Sequence, residues 1–212
     1  MSKDFEMKAN IGTSALQHRQ RDQGGASLIM VMIVLTIVSI LGLAGIQISL
    51  MSERGARNDR DQQIAWQSAE AALLDAEIDI FGPGTSTRRA IFTPATNLLA
   101  FADGCGTSGN SIGLCSLVTN GRPSWLTTAF DFSATGSSAQ STAYGTYTGR
   151  TFAAGGVGAQ PAQVPRYVIE PIRDPADRDA GSTTPAYIYR VTAMGFGPRS
   201  DIQAVLQMIF RN

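Results

Sequence analysis

The chain has few histidine and cysteine residues, which often form catalytic or metal sites, and one long stretch of it has no charge. Its 212 residues include a single histidine, His18, and two cysteines. No Walker loop or metal-ligand spacing occurs. The seventeen basic and seventeen acidic residues cancel, which gives no reason to expect a nucleic-acid partner. The sequence therefore predicts neither an enzyme, nor a cofactor, nor a metal site.

The uncharged stretch runs from Ala26 to Met51 and is rich in isoleucine, leucine and valine. As a helix it is long enough to cross the hydrocarbon core of a bilayer, which is about 30 Å thick. A buried helix of a soluble protein is the alternative, but a core helix of this length normally has a polar face. The run therefore predicts a membrane-spanning helix.

Residues 1–25 form a polar leader that precedes the apolar run. A secretory signal has the opposite order, with its apolar region upstream of the cleavage site. Here the small residues Gly24, Gly25 and Ala26 mark a candidate cleavage point before the helix, and His18 would be removed with the leader. Arg19 and Arg21 favour a cytoplasmic leader. An uncleaved single-pass anchor is the alternative.

Residues 53–81 predict a continuation of the same helix beyond the membrane. Apolar residues recur at helical spacing and define one broad face: Ile64, Ala65, Ala69, Ala72, Leu73, Ala76 and Ile80. Glu70, Glu77 and Asp79 are expected to mark the polar face. Gly82, Pro83 and Gly84 end the helix.

The order of leader, glycine junction, uncharged helix and amphipathic extension resembles type IV prepilins. The run QGGASLIMVMIVLTIVSILGLAG and the later AEAALLDAE resemble the PilX family of minor pilins, and so does YRVTAMGFG near the C-terminus. The resemblance implies an α+β, pilin-like fold, in which a long N-terminal helix packs on a small antiparallel β-sheet. It implies a structural or priming subunit that takes part in type IV pilus assembly.

The resemblance also implies how the chain is processed and with what it associates. The prepilin peptidase is expected to cleave after Gly25, and Ala26 is expected to become the N-methylated first residue. The implied location is the inner membrane, with a periplasmic C-terminal domain, and later the pilus at the cell surface. The implied partners are inner-membrane lipid, other minor pilins, the major pilin and the peptidase.

One position departs from the family pattern. Pilins generally have a glutamate as the fifth residue of the mature chain, which is thought to pair with the N-terminal ammonium of a neighbouring subunit. Here that position is Met30, so this pairing cannot form. We therefore hypothesise a subunit of the priming complex or of the filament tip. The alternative is that Met30 merely fills an apolar helix face.

Residues 82–165 predict a variable, loop-rich region, and residues 166–212 predict the antiparallel sheet. Cys105 and Cys115 are expected to form a disulfide in an oxidising compartment, with free thiols as the alternative. β-Branched and aromatic residues predict three strands, at 166–170, 186–193 and 202–210, joined as a meander. A turn is expected at 195–198.

Three questions remain open on the sequence alone: the function, the role of an aspartate cluster and the role of two tyrosines. A type II secretion pseudopilin would share the processing and the fold, and a membrane-tethered periplasmic binding domain would keep its leader and not assemble. Asp174, Asp177 and Asp179 are either a solvated loop or a calcium site, although their spacing does not match an EF-hand. Tyr144 and Tyr147 either contact a partner or pack internally.

Overall fold

The architecture was derived from a computed structural model, which describes residues 25–82, 88–127, 129–156, 158–177 and 185–211. The chain divides into two compact units, residues 1–52 and residues 53–212. Residues 1–24 of the leader, His18 among them, lie outside the described residues, as does the Pro83-Gly84 part of the expected helix stop.

In the first unit, the described residues form the beginning of helix α1, which spans Ala26–Phe81. Every side chain from Ala26 to Met51 is exposed in this chain, although most of them are large and apolar. The helix is long and apolar enough to cross a membrane. The predicted helix is thus confirmed over its full length, and lipid is the solvent that suits its uncharged part.

In the second unit, the remainder of α1 packs on an antiparallel sheet of four strands in the order β1-β2-β3-β4. The strands are β1 Thr142–Ala143, β2 Arg166–Arg173, β3 Tyr187–Phe196 and β4 Gln203–Phe210. Tyr167 pairs with Ala193, and Ala193 pairs with Leu206, so one row of side chains crosses three strands on the helix-facing side.

The sheet corrects two expectations. A meander of three strands was expected, but β1 adds a fourth at the edge, where Thr142 pairs with Tyr167. Two residues are too short to show a period-2 pattern, so the position of this strand was not predictable from the sequence. The expected turn at 195–198 begins later, because β3 continues through Gly195 to Phe196.

Small residues allow α1 and β3 to approach closely. Ala65, Ala69, Ala72 and Ala76 are fully buried on the helix. Opposite them, a Cβ atom added to Gly195 would lie 2.1 Å from the Ala65 carbonyl oxygen and 2.2 Å from the Ala69 nitrogen. No side chain fits at position 195. The glycine is therefore required by the close approach of the two backbones and not by the conformation of a turn.

The loop-rich region packs against both faces of the sheet. On the face away from the helix, Val168 and Met194 pack with the disulfide and with Phe132. Phe92 and Leu114 of the same region belong instead to the core on the helix side of the sheet. Among its described residues, the region has five short 3₁₀ helices, at Arg89–Ile91, Leu98–Ala100, Gly109–Ser111, Ser124–Leu126 and Gly136–Ser138. The α+β fold expected from the sequence is confirmed.

Candidate functional site

The expected processing junction lies where α1 begins. Gly25 has a left-handed φ of +72° and immediately precedes the first helical residue, Ala26. A left-handed residue is favourable only for glycine and prevents the helix from extending backwards. The Gly25–Ala26 peptide bond is therefore at the helix terminus, where the Gly25 carbonyl oxygen accepts a hydrogen bond from the Ile29 N–H at 3.4 Å.

Met30 lies one helical turn beyond Ala26, and its side chain is 70% exposed. Its neighbours on the helix surface are Val31, Val34 and Leu35, and together they line a shallow apolar groove of about 230 Å³. The surface that a mature chain would present at its fifth residue is thus wholly apolar. The helix offers no basic side chain to a carboxylate at the same place, since the nearest charged side chain along it is that of Glu53.

Two carboxylates of α1 face inward in the second unit. Asp75 and Asp79 are one turn apart, and both are fully buried. Asp79 was expected on the polar face, which is wrong. At 100° per residue it lies only about 20° around the helix from Ala72, so its angular position was the available signal. No buried role was expected for either aspartate or for their partners Arg88 and Tyr167.

Asp79 accepts hydrogen bonds from two buried groups. The Arg88 guanidinium donates to Asp79 Oδ2 from Nε at 2.8 Å and also from Nη2. The Tyr167 hydroxyl on β2 donates to the same oxygen at 2.9 Å. Burial, reinforced by the negative charge of Asp79, raises the pKa of Tyr167 well above 10.0, so this phenol stays protonated as a donor.

Arg88 extends this network into the loop region. Its Nη1 donates to the carbonyl oxygen of Ile112 at 2.7 Å, and its guanidinium carbon lies 3.9 Å from the centroid of the Tyr147 ring. Tyr147 in turn donates from its hydroxyl to the carbonyl oxygen of Gly109 at 2.6 Å. Tyr147 is therefore a packing residue, whereas Tyr144 is half-buried and stacks beside Phe152.

Asp75 fixes a second loop to the helix. Its carboxylate accepts from the Gly145 backbone N–H at 2.8 Å and from the Thr148 hydroxyl at 2.5 Å. Arg150 approaches it at 3.7 Å. Burial raises the pKa of Asp75, and these hydrogen bonds and the arginine only partly oppose that effect. The two aspartates thus connect α1 to two parts of the loop region. Asp79 reaches the part around Ile112 through Arg88, and Asp75 reaches the part around Gly145 and Thr148.

Cys105 and Cys115 form a disulfide, as the sequence predicted. The bridged loop is attached to the sheet, because the Cys115 N–H donates to the carbonyl oxygen of Ile169 on β2 at 2.9 Å. Cys105 has a φ of +72°, which is unfavourable for a residue with a side chain. The bridge therefore holds both a strained residue and a sheet contact in place.

The loop region contains two accidental motif matches. Residues 104–109 match G-x-G-x-x-G, but they lie in the disulfide loop and not between a strand and a helix. Residues 109–113 match G-x-S-x-G. Ser111 lies in a 3₁₀ helix, and its hydroxyl donates to the carbonyl oxygen of Ser108. A nucleophile elbow requires a strand before the serine and a histidine beside it.

The described aspartates of the β2–β3 connection accept hydrogen bonds from nearby backbone and from an arginine. Asp174 accepts from Arg211 at 3.0 Å and from the Ala176 N–H at 2.8 Å, and Asp177 accepts from the Ala186 N–H at 3.0 Å. Asp179 lies outside the described residues. Within the part of the chain that the structure covers, no group of three or more metal-ligating residues is present.

These features define a class: an α+β protein whose long N-terminal helix carries an uncharged, membrane-compatible part and packs its remainder on a small antiparallel sheet. Comparison with family models identifies the family within that class. The model for the PilX N-terminal region matches residues 23–74, and the model for the C-terminal region of type IV pilus assembly protein PilX matches residues 102–212. The chain belongs to the PilX family of type IV pilus assembly proteins.

The family is one of structural pilus assembly proteins and is not a known class of enzyme. Its membership implies interaction with other components of the pilus. Comparisons with curated proteins and with solved structures gave no match.

Proposed function

We propose that this chain is a minor pilin, which is inserted in the inner membrane by α1 and takes part in pilus assembly as a structural or priming subunit. The observation that carries the proposal is the helix itself. It contains an uncharged, exposed part and a part that is packed on the sheet. In lipid the uncharged part is stable as a single span, and in a filament the same side chains suit packing against other apolar helices.

Maturation is proposed to occur by cleavage between Gly25 and Ala26, followed by N-methylation of Ala26. The left-handed Gly25 supports this, because it leaves the bond at the end of the helix and not within it. The C-terminal domain would then be periplasmic, an orientation that Arg19 and Arg21 of the leader favour.

Met30 supports a place in the priming complex or at the filament tip. A glutamate in the bilayer costs about 2.5 to 3.5 kcal/mol unless it is paired. If a subunit has no neighbour whose N-terminal ammonium could pair with this glutamate, the glutamate only adds its cost. Met30 is exposed on an apolar helix surface and avoids that cost.

The test is the intact mass and the N-terminal residue of the full chain extracted from membranes, with and without the prepilin peptidase. We expect a chain that begins at methylated Ala26 only when the peptidase is present. A Gly25→Val variant should remain uncleaved, whereas Gly24→Ala, one residue away, serves as the matched control and should be processed.

The same experiment separates the alternatives. A chain that keeps its leader in the presence of the peptidase would overturn the minor-pilin proposal and leave a membrane-tethered binding domain. A type II secretion pseudopilin would also be cleaved, so deletion of the gene followed by counting pili distinguishes it. Family membership favours loss of pili over loss of secretion.

A further inference from the structure

The outward face of α1 in the second unit carries alternating apolar and acidic side chains. Trp66, Glu70, Leu74 and Glu77 follow one another at spacings of four, four and three residues, which places them along one ridge of the helix. Trp66 and Leu74 are half exposed, and Glu70 and Glu77 are exposed. This ridge is distinct from the buried face that packs on the sheet.

A groove of about 250 Å³ runs beside the ridge, between α1 and the edge strand β4. Its floor is apolar and is formed by Leu73, Leu74, Met208 and Phe210, and Glu70 and Glu77 stand on its rim. A second groove on the same ridge shares Leu74 and Glu77 and continues toward Phe81. The apolar surface is therefore wider than a pocket for one side chain.

The two rim glutamates are not neutralised by cations within the described residues. Glu70 accepts a hydrogen bond from the Trp66 indole at 2.9 Å, which orients the carboxylate without cancelling its charge. Glu77 has no hydrogen bond or ion pair there, although Arg150 lines the neighbouring groove, because Arg150 approaches the buried Asp75 instead. Two negative charges seven residues apart, about 10 Å along the helix, thus flank an apolar floor.

The geometry points to a helix of a different pilus subunit as the occupant of this groove, one with two basic residues seven positions apart and apolar residues between them. Such a helix would place its cations opposite Glu70 and Glu77 and its apolar side chains against Leu74 and Met208. This inference rests on the proposed function, since it assumes that the chain is assembled with other pilus subunits.

A second copy of this chain does not fit the groove equally well. The basic residues of α1 are Arg54, Arg57 and Arg60. Seven residues beyond them lie Asp61, Ile64 and Gln67, so no two cations of this helix have the required spacing. Charge complementarity therefore favours a heterologous partner over self-association.

The experiment uses the full chain in the membranes of cells that assemble the pilus. A photo-crosslinking amino acid replaces Met208 in one variant and the adjacent Ile209 in the other. These residues are 48% and 58% exposed, and they point to opposite faces of β4, so they form a matched pair. We expect a crosslinked product from Met208 only, with the crosslinked peptide in a helix of another pilus subunit that has two basic residues seven apart.

A charge test follows on the same material. The double variant Glu70→Lys/Glu77→Lys should lower the crosslink at Met208 about tenfold, and exchanging the partner's two basic residues for glutamate should restore it. Asp201→Lys, at an exposed acid in the β3–β4 turn, should have no effect. The amount of chain in the membrane and its disulfide content show that the variants fold.

Equal crosslinking from Met208 and Ile209, a crosslink to this chain's own helix, a partner peptide without the basic pair, or insensitivity to the charge reversal would each overturn the inference. If the chain is cleaved after Gly25 and is required for pili while any of these results is obtained, the groove inference alone fails. If the leader is retained and deletion leaves piliation unchanged, the proposed function fails and this inference fails with it.

Discussion

Arg88 joins Asp79 on helix α1 to the carbonyl oxygen of Ile112 in the loop region, and its side chain is fully buried. A buried ion pair of this kind contributes little net stability compared with apolar residues, but the loss of one partner leaves an uncompensated charge. The attachment of the loop region to α1 therefore depends on Arg88, which lies outside both the helix and the sheet.

Arg88→Met should lower the free energy of unfolding by about 3 to 5 kcal/mol, because it removes the buried cation that pairs with the Asp79 carboxylate. The double variant Arg88→Met/Asp79→Leu should recover much of this loss. Urea unfolding of the full chain in detergent, followed by tryptophan fluorescence, measures both. Arg122→Met, at an exposed arginine, is the control. Equal stability of the single and double variants would contradict the ion-pair interpretation.

The carboxyl of Asp75 should make the stability depend on pH in an unusual direction. Burial raises its folded pKa above the ordinary 3.8, so the native state binds more protons than the unfolded state between these two values. The contribution of this group to stability therefore falls as the pH rises from 3.8 through the raised pKa. In the usual case of a paired carboxylate, the contribution rises.

We expect the free energy of unfolding of Asp75→Asn, relative to the unaltered chain, to increase as the pH is raised through that window. Denaturant titrations at several pH values between 3 and 7 give the difference. Asp201→Asn, at an exposed turn residue, should show no such trend. A difference that decreases with pH would mean that hydrogen bonds from Gly145 and Thr148 outweigh the burial of Asp75.

The contact between Gly195 and α1 leads to a third prediction. Gly195→Ala places a methyl group 2.1 Å from the Ala65 carbonyl oxygen, so backbone must move, and we expect a loss of about 2 to 3 kcal/mol. Gly55→Ala is the control, because Gly55 lies on α1 and no atom is within 4 Å of the position that its added methyl group would take. There the alanine should stabilise α1 by up to about 1 kcal/mol. Thermal unfolding that shows equal shifts for both variants would contradict the close approach.

The disulfide leads to a fourth prediction. Replacing Cys105 and Cys115 with serine should lower the free energy of unfolding by about 2 to 3 kcal/mol, the cost expected for opening a loop of this length. Hydrogen exchange should also increase at the Cys115 N–H, which donates to Ile169. The disulfide-bonded chain is the control, and unchanged exchange at that amide would show that the loop stays on the sheet without the bridge.

The features that were predictable from the sequence are those that recur in a regular pattern. The uncharged helix, its apolar continuation and the strands around Tyr167, Val191 and Leu206 all follow from periods of 3.6 or 2 residues. The disulfide was predictable because the chain has only two cysteines. The pairing of Asp79 with Arg88 was not, since Arg88 lies outside every stretch with a periodic pattern and only tertiary contacts bring it to the helix.

Met30 allows the proposed position in the pilus to be tested directly. Met30→Glu would place a carboxylate one turn from Ala26, where the N-terminal ammonium of a neighbouring subunit could pair with it. If the missing carboxylate restricts this subunit to the priming complex or the tip, the variant should be incorporated along the shaft, while initiation stays unaffected. Immunogold labelling of sheared pili, together with pilus counts, measures the two effects.

Two controls separate pairing from the cost of the charge itself. Met30→Gln has a similar shape without charge and should keep the original distribution. Val34→Glu places the same carboxylate one turn further into the span, where it pays the same desolvation cost of about 2.5 to 3.5 kcal/mol without a partner, and it should reduce insertion. If Met30→Glu leaves the distribution unchanged, Met30 is simply part of the apolar helix surface, and the tip position loses its support.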